Sequence, residues 1–121
     1  MIPDPEAVAR AYAVIAPELG VSTRASEVAI RVALREADHL ANDVYDVPAA
    51  LLFAFGHHPR CFAGFRAMSV LVVEWHTKTL GFKLTAGRGE LADVLTRVAL
   101  DEMTHEEVRA WVVERLLPFG G

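Results

Sequence analysis

The sequence predicts an all-α fold: a compact single-domain bundle of about six helices around one buried central helix. Three observations lead there. Apolar residues recur at helical spacing between identifiable caps in most of the chain. Ala, Val and Leu dominate, with Glu and Arg as further helix formers, and strand signatures are scarce. Residues 47–55 are apolar on every side, as a helix enclosed by others must be.

The first helix spans residues 5–16. Asp4 is its N-cap, Pro5 takes the first helical position, and Val8, Ala11, Tyr12 and Ile15 form its apolar face. Pro17 and Gly20 close it. Residues 21–24 form a linker with Ser22 and Thr23 as capping residues. A second helix covers 26–41, with Val28, Val32, Arg35 and His39 near one face and Ile30, Leu34 and Ala41 near another. The run 42–46 breaks it, and Asp46 caps a third, buried helix over 47–55 with Pro48 in its first turn. A fourth helix covers 67–80 and ends at Gly81. Residues 82–85 alternate and read as a short extended piece, and 86–89 as a turn. A fifth helix covers 90–100. Thr104 and Glu107 form a capping box that starts a sixth helix, which Pro118 ends before a frayed 119–121 tail.

Composition narrows the function classes. The chain has 121 residues, 53% hydrophobic and 23% charged, enough for one domain with a real core and too apolar for disorder. Its formal net charge of −4 argues against general nucleic-acid binding, which needs a basic surface. A single cysteine, Cys61, forms no internal disulfide and suits a reducing cytoplasm. The N-terminus reads as no signal peptide, and the apolar run 67–75 is shorter than the ~20 residues of a membrane span.

The chemistry concentrates between the third and fourth helices, in His57-His58-Pro59-Arg60-Cys61-Phe62-Ala63-Gly64-Phe65-Arg66. Backbone N–H groups at the start of a helix are unpaired and carry the positive end of its dipole. Small residues, Ala63 and Gly64, let an anion approach them, and Arg66 adds a bidentate contact to a phosphate or carboxylate. His58 at the other end of the loop is placed to act as general base on a hydroxyl, with His57 as the alternative base or a helix-end residue meeting the last carbonyls. Cys61 lies among cations, which lower a thiol pKa, although free cysteines are more often inert hydrophobes. Asp43 and Asp46 precede the third helix and are placed at the mouth of the pocket, with capping the competing role for Asp46. His39 and His76 read as satisfied histidines on helices. No short metal-ligand spacing occurs, so no metal site is expected. Trp75 and Trp111 read as core or interface, and Arg31, Arg35, Glu36 and Asp38 as a solvated charge face.

The order of these parts resembles the Fic/Doc (death-on-curing) family, in its compact toxin-type branch, over about residues 22–117. The resemblance is carried by Asp46-Val47 before an apolar helix with Ala49-Ala50-Leu51-Leu52-Phe53, by the step from His58 to Arg66, by Leu80-Gly81-Phe82-Lys83-Leu84, and by Thr104, Glu107 and Trp111. The family signature, His-x-Phe-x-Asp/Glu-Gly/Ala-Asn-Gly/Lys-Arg, begins here at His58 and ends at Arg66. The resemblance implies His58 as the base that takes a proton from a target hydroxyl, Arg66 as the phosphate-holding arginine and Ala63 as the small residue of the anion hole. The middle departs from the signature. Arg60 replaces the Phe that anchors the loop in the core, Phe62 replaces the acidic residue that holds magnesium, Gly64 replaces Asn, and Phe65 replaces Gly or Lys. Loss of one charge-stabilising group costs on the order of 10²–10³ in rate. Arg60, turned inward, supplies a substitute cation; a slip of the loop instead brings Phe62 into the anchoring role. Both stay open from sequence.

Three function classes follow. The first is a divergent transferase moving a phosphoryl or nucleotidyl group to a protein hydroxyl, with ATP or another nucleotide as co-substrate and a neutralising antitoxin as partner, both implied by the resemblance. The second is the same fold turned to His-dependent acid/base chemistry on a small organic metabolite, without nucleotide or metal, in a pocket made more apolar by Phe62 and Phe65. The third is a non-catalytic binding or assembly module, a homo-oligomer included, whose apolar content serves an interface. All three belong to a cytoplasmic protein.

Overall fold

A computed structural model describes residues 1–18, 20 and 26–118. It contains six α-helices in chain order: α1 Pro5–Ile15, α2 Glu27–Leu40, α3 Val47–His57, α4 Phe65–Thr79, α5 Arg88–Ala99 and α6 His105–Val113. A 3₁₀ turn, Val44–Asp46, leads into α3, and two short strands complete the chain, β1 Phe82–Leu84 and β2 Leu116–Pro118.

The caps explain where the helices begin. Asp4 Oδ1 accepts from Glu6 N at 3.1 Å, with Pro5 in the first turn of α1. Ser26 Oγ accepts from Ala29 N at 3.1 Å and starts α2; Ser22 and Thr23 lie outside the described residues. Thr104 and Glu107 form the reciprocal capping box of α6, with Glu107 N donating to Thr104 Oγ1 at 3.2 Å.

Asp46 corrects one expectation. It precedes α3, yet its side chain makes no capping bond there. The carboxylate is buried and turned sideways, accepting from Arg109 Nε at 2.8 Å and from Asn42 N at 3.2 Å. An ion pair to α6 outcompetes the local cap. The capping residue is Asp43, whose Oδ1 accepts from Tyr45 N at 2.9 Å and Asp46 N at 3.2 Å to form the 3₁₀ turn.

The central helix is α3. It packs against α2, α4, α5 and α6, and its Val47, Ala50, Leu51, Leu52 and Phe55 are fully enclosed. Gly56 permits the close approach of α3 to α5: a Cβ there would lie 2.6 Å from Val98 Cβ. On α2 the inward face is Ile30, Ala33, Leu34 and Ala37, while Val28 is 74% exposed. Trp75, expected in a core or an interface, is 37% exposed on α4.

The chain end differs from expectation. Helix α6 stops at Val113, before Pro118, and the chain turns back so that β2 pairs antiparallel with β1, Leu84 opposite Leu116 and Phe82 opposite Pro118. The extended 82–84 piece, isolated in sequence, has backbone groups that need partners, and residues 116–118 supply them. Thr85 N adds a bond to Arg115 O at 2.8 Å. Among the described residues, no helix is long and apolar enough to cross a membrane.

Candidate functional site

The loop from His57 to Arg66 does connect α3 and α4, but the fold sends its side chains in three directions. Cys61 and Phe62 point inward. Phe62 is 4% exposed, stacked on Tyr12 with ring centres 5.3 Å apart and tilted against Phe55 at 5.6 Å. An aromatic side chain therefore anchors the loop in the core, from position 62 and not 60. Arg60, at the signature's aromatic position, is exposed and has no ion-pair partner among the described residues. Cys61 is completely buried, and desolvation pushes its thiol up to about 12, opposite to the lowering expected from nearby cations. Its carbonyl accepts from Ser26 N at 3.0 Å, which ties the loop to the start of α2.

The two histidines turn toward α2. Glu36 receives both: Oε1 lies 2.8 Å from His57 Nδ1 and Oε2 lies 2.6 Å from His58 Nε2. All three side chains are half-buried or at the surface. An ionised carboxylate only accepts, so His57 donates from Nδ1 and His58 from Nε2. In a neutral ring this leaves the lone pair on His58 Nδ1, and on His57 Nε2. His57 also packs on Phe53, ring centres 4.1 Å apart, and Phe53 and His105 meet edge-on with ring centres 5.5 Å apart. His105 Nε2 is buried without a hydrogen-bond partner among the described residues.

The third direction is toward α5. Gly64 adopts φ +66°, the left-handed region that favours glycine, and so swings the chain into α4. No side chain caps α4. Among the described residues the N–H groups of Phe65, Arg66 and Ala67 find no acceptor, and the first N–H bonded within the helix is Met68 N, to Gly64 O at 3.1 Å. Arg66 Nη1 donates to Thr96 Oγ1 on α5 at 3.2 Å, and the Thr96 hydroxyl in turn donates to Ala92 O at 3.1 Å. Gly64, Phe65, Arg66, Ala67, Thr96, Ala99 and Leu100 line a cavity of about 480 Å³. Neither His57 nor His58 lines it.

Sequence reasoning therefore grouped residues that the fold divides. Arg66, Gly64 and Phe65 share a cavity; Ala63 lies half-buried before it; His57 and His58 share Glu36; Cys61 and Phe62 belong to the core. Asp43 is exposed at the opposite end of α3 from His57 and is occupied as a cap, so it lines no pocket with the loop. His76 is buried and its Nε2 donates to the Met1 carbonyl; burial holds its pKa below the ordinary value, against the raising effect of that bond. Two residues were missed. Glu36 was read as part of a solvated face, although it borders the buried Ala33 and Ala37 on α2. Thr96 has no local signal, because its role comes from α5 packing beside α4.

Magnesium does not fit this loop. At the signature's acidic position stands Phe62, its ring in the core, and among the described residues no group of three His, Cys, Asp or Glu side chains is placed to hold a metal ion. Comparison with protein-family models, with curated proteins and with solved structures gives no match.

Proposed function

We propose that this protein binds a phosphate-bearing small molecule at the first turn of α4. One observation carries the reading: among the described residues the Arg66 guanidinium, bonded to the neutral Thr96 hydroxyl alone, lines the same cavity as the uncapped Phe65–Ala67 turn, and no described carboxylate lines that cavity. Five N–H donors on Arg66 with one in use leave a fork for a phosphate, and the helix dipole adds to it. The resemblance to the Fic/Doc family supports the same assignment, with Arg66 at the phosphate-holding position and ATP or another nucleotide as the ligand. Titration calorimetry with ATP and with pyrophosphate tests it: binding that Arg66→Ala removes supports the reading, and equal binding by the variant refutes the site.

A second reading makes the protein a transferase of a phosphoryl or nucleotidyl group to a protein hydroxyl, with His58 as general base. The Glu36–His58 pair favours it. A carboxylate on Nε2–H orients the imidazole and leaves Nδ1 to accept the hydroxyl proton. The attacking oxygen would bond to phosphorus as the leaving group, ADP or pyrophosphate, departs. No step is assigned to a metal. A target protein, an antitoxin partner and a cytoplasmic setting belong to this reading. Labelled ATP incubated with cell lysate decides it. Label on a protein that disappears with His58→Ala supports transfer; label that persists removes His58 as base.

A further inference from the structure

The two histidines at the end of α3 offer a chemistry separate from the cavity at α4, which neither of them lines. Glu36 Oε2 holds His58 Nε2–H at 2.6 Å, so in the neutral ring the lone pair lies on Nδ1. Among the described residues nothing bonds that Nδ1. It is not sealed in the protein either. The side chain is 28% exposed, and among the described residues the buried side-chain atoms without a partner are Ser69 Oγ and His105 Nε2. His58 therefore presents to water a lone pair on a ring whose tautomer and orientation a carboxylate fixes. A histidine nucleophile needs that arrangement.

The turn that carries the ring adds charge of the right sign. Cys61 N donates to His58 O at 3.3 Å and folds residues 58–61 back on themselves. Arg60 lies within that turn, exposed and without an ion-pair partner among the described residues. The other histidines lack this combination. His57 has its Nδ1 on Glu36 and its ring packed on Phe53. His76 Nε2 is taken by the Met1 carbonyl, and His105 Nε2 is buried. His39 is exposed on α2 but has no carboxylate partner among the described residues.

We infer that His58 Nδ1 is a phosphoryl-acceptor site, modified by a small acyl phosphate. The Nδ1 lone pair forms a bond to phosphorus. The phosphorus–oxygen bond to the acyl group breaks, and the carboxylate leaves with that electron pair. No proton has to be removed first, because it already sits on Nε2, on the Glu36 side. Glu36 touches no reacting atom and is a positioning residue, and Arg60 meets the phosphoryl oxygens. The modification needs neither a nucleotide nor a target protein, so it does not rest on the readings above. It does occupy the lone pair that the transfer reading uses as base, and the phosphorylated chain would transfer nothing.

Incubation of the full chain with acetyl phosphate tests the site. Intact-mass and peptide analysis should show one added phosphoryl group, on His58, lost in acid and kept in alkali as a phosphorus–nitrogen bond requires. Magnetic resonance correlation from phosphorus to the ring should place it on Nδ1. His58 should react at least about tenfold faster than the exposed His39, a difference of about 1.4 kcal/mol in barrier. His58→Gln should abolish this modification and His57→Gln should keep it. Glu36→Ala, its fold verified by circular dichroism, releases the ring, so phosphorus should then appear on both His58 nitrogens. Reaction of His39 as fast as His58 overturns the site, because accessibility alone would then govern. Phosphorus on His58 Nε2 in the unmodified sequence, or no phosphoryl group on His58, overturns it as well. Modification of His58 without ATP-dependent labelling of any lysate protein removes the transfer reading alone; labelling without modification removes this site alone.

Discussion

Glu36 Oε2 lies 2.6 Å from His58 Nε2, so a carboxylate on α2 holds the C-cap histidine just past the end of α3. The other oxygen holds His57 at 2.8 Å, and one side chain thereby secures both ring orientations and the exit of the chain from the central helix. Glu36→Ala should lower stability by about 1 kcal/mol, the lower end for a charge-assisted bond because the group is partly exposed. Urea denaturation measures this. In a double-mutant cycle with His58→Ala the losses should be less than additive; strict additivity would show that the pair does not interact.

The approach of α3 to α5 depends on Gly56. An added methyl would sit 2.6 Å from Val98 Cβ, closer than any real Cβ contact, so one helix would have to shift. Gly56→Ala should destabilise by roughly 1–3 kcal/mol, the usual cost of overpacking a core. Adding Val98→Ala should leave most of that loss in place, because alanine keeps the Cβ that the new methyl meets. A melting temperature unchanged by Gly56→Ala would mean that the two helices do not approach this closely.

Cys61 should be chemically silent in the folded protein. Complete burial and a thiol pushed up to about 12 leave almost no thiolate at neutral pH. An aromatic disulfide reagent should label it only after unfolding. Rapid labelling of the native chain would show the loop to be open and Phe62 to be out of its place against Tyr12.

His76 gives the stability a pH dependence of definite sign. Burial lowers its pKa in the folded state below the ordinary 6.5, so in acid the unfolded chain binds the proton first. The stabilising effect of the neutral ring is fully present above pH 6.5 and is lost as pH falls through the lower, folded value. His76→Gln should flatten the stability profile between neutral pH and that point, as measured by denaturation at a series of pH values. An unchanged slope would assign the acid sensitivity elsewhere.

Much of the helical order was legible because its signals are local. Asp4, Thr104 and Glu107 cap through bonds that span a few residues, and the apolar stretch around Leu51 can satisfy itself only inside a bundle. The signals that failed were tertiary. Asp46 resembles a cap in sequence, yet Arg109 from a distant helix takes its carboxylate. β2 follows a helix with no turn signal strong enough to announce it, and forms because β1 offers an edge. The loop shows the same division. That His58 and Arg66 lie at helix ends could be read from spacing, but Glu36 and Thr96, their partners in the fold, lie 22 and 30 residues away in the chain. The anchoring ring could not be assigned to position 60 or 62 without knowing which side chain faces Tyr12 and Phe55.

Anion binding at the start of α4 is observed most directly through the backbone amide resonances of that turn. On titration with pyrophosphate, the amides of Phe65, Arg66 and Ala67 should show the largest shifts, because their N–H groups would gain the acceptor they lack, and Arg66→Ala should reduce those shifts strongly. Shifts absent from these three amides, or unchanged in the Arg66→Ala variant, would contradict it.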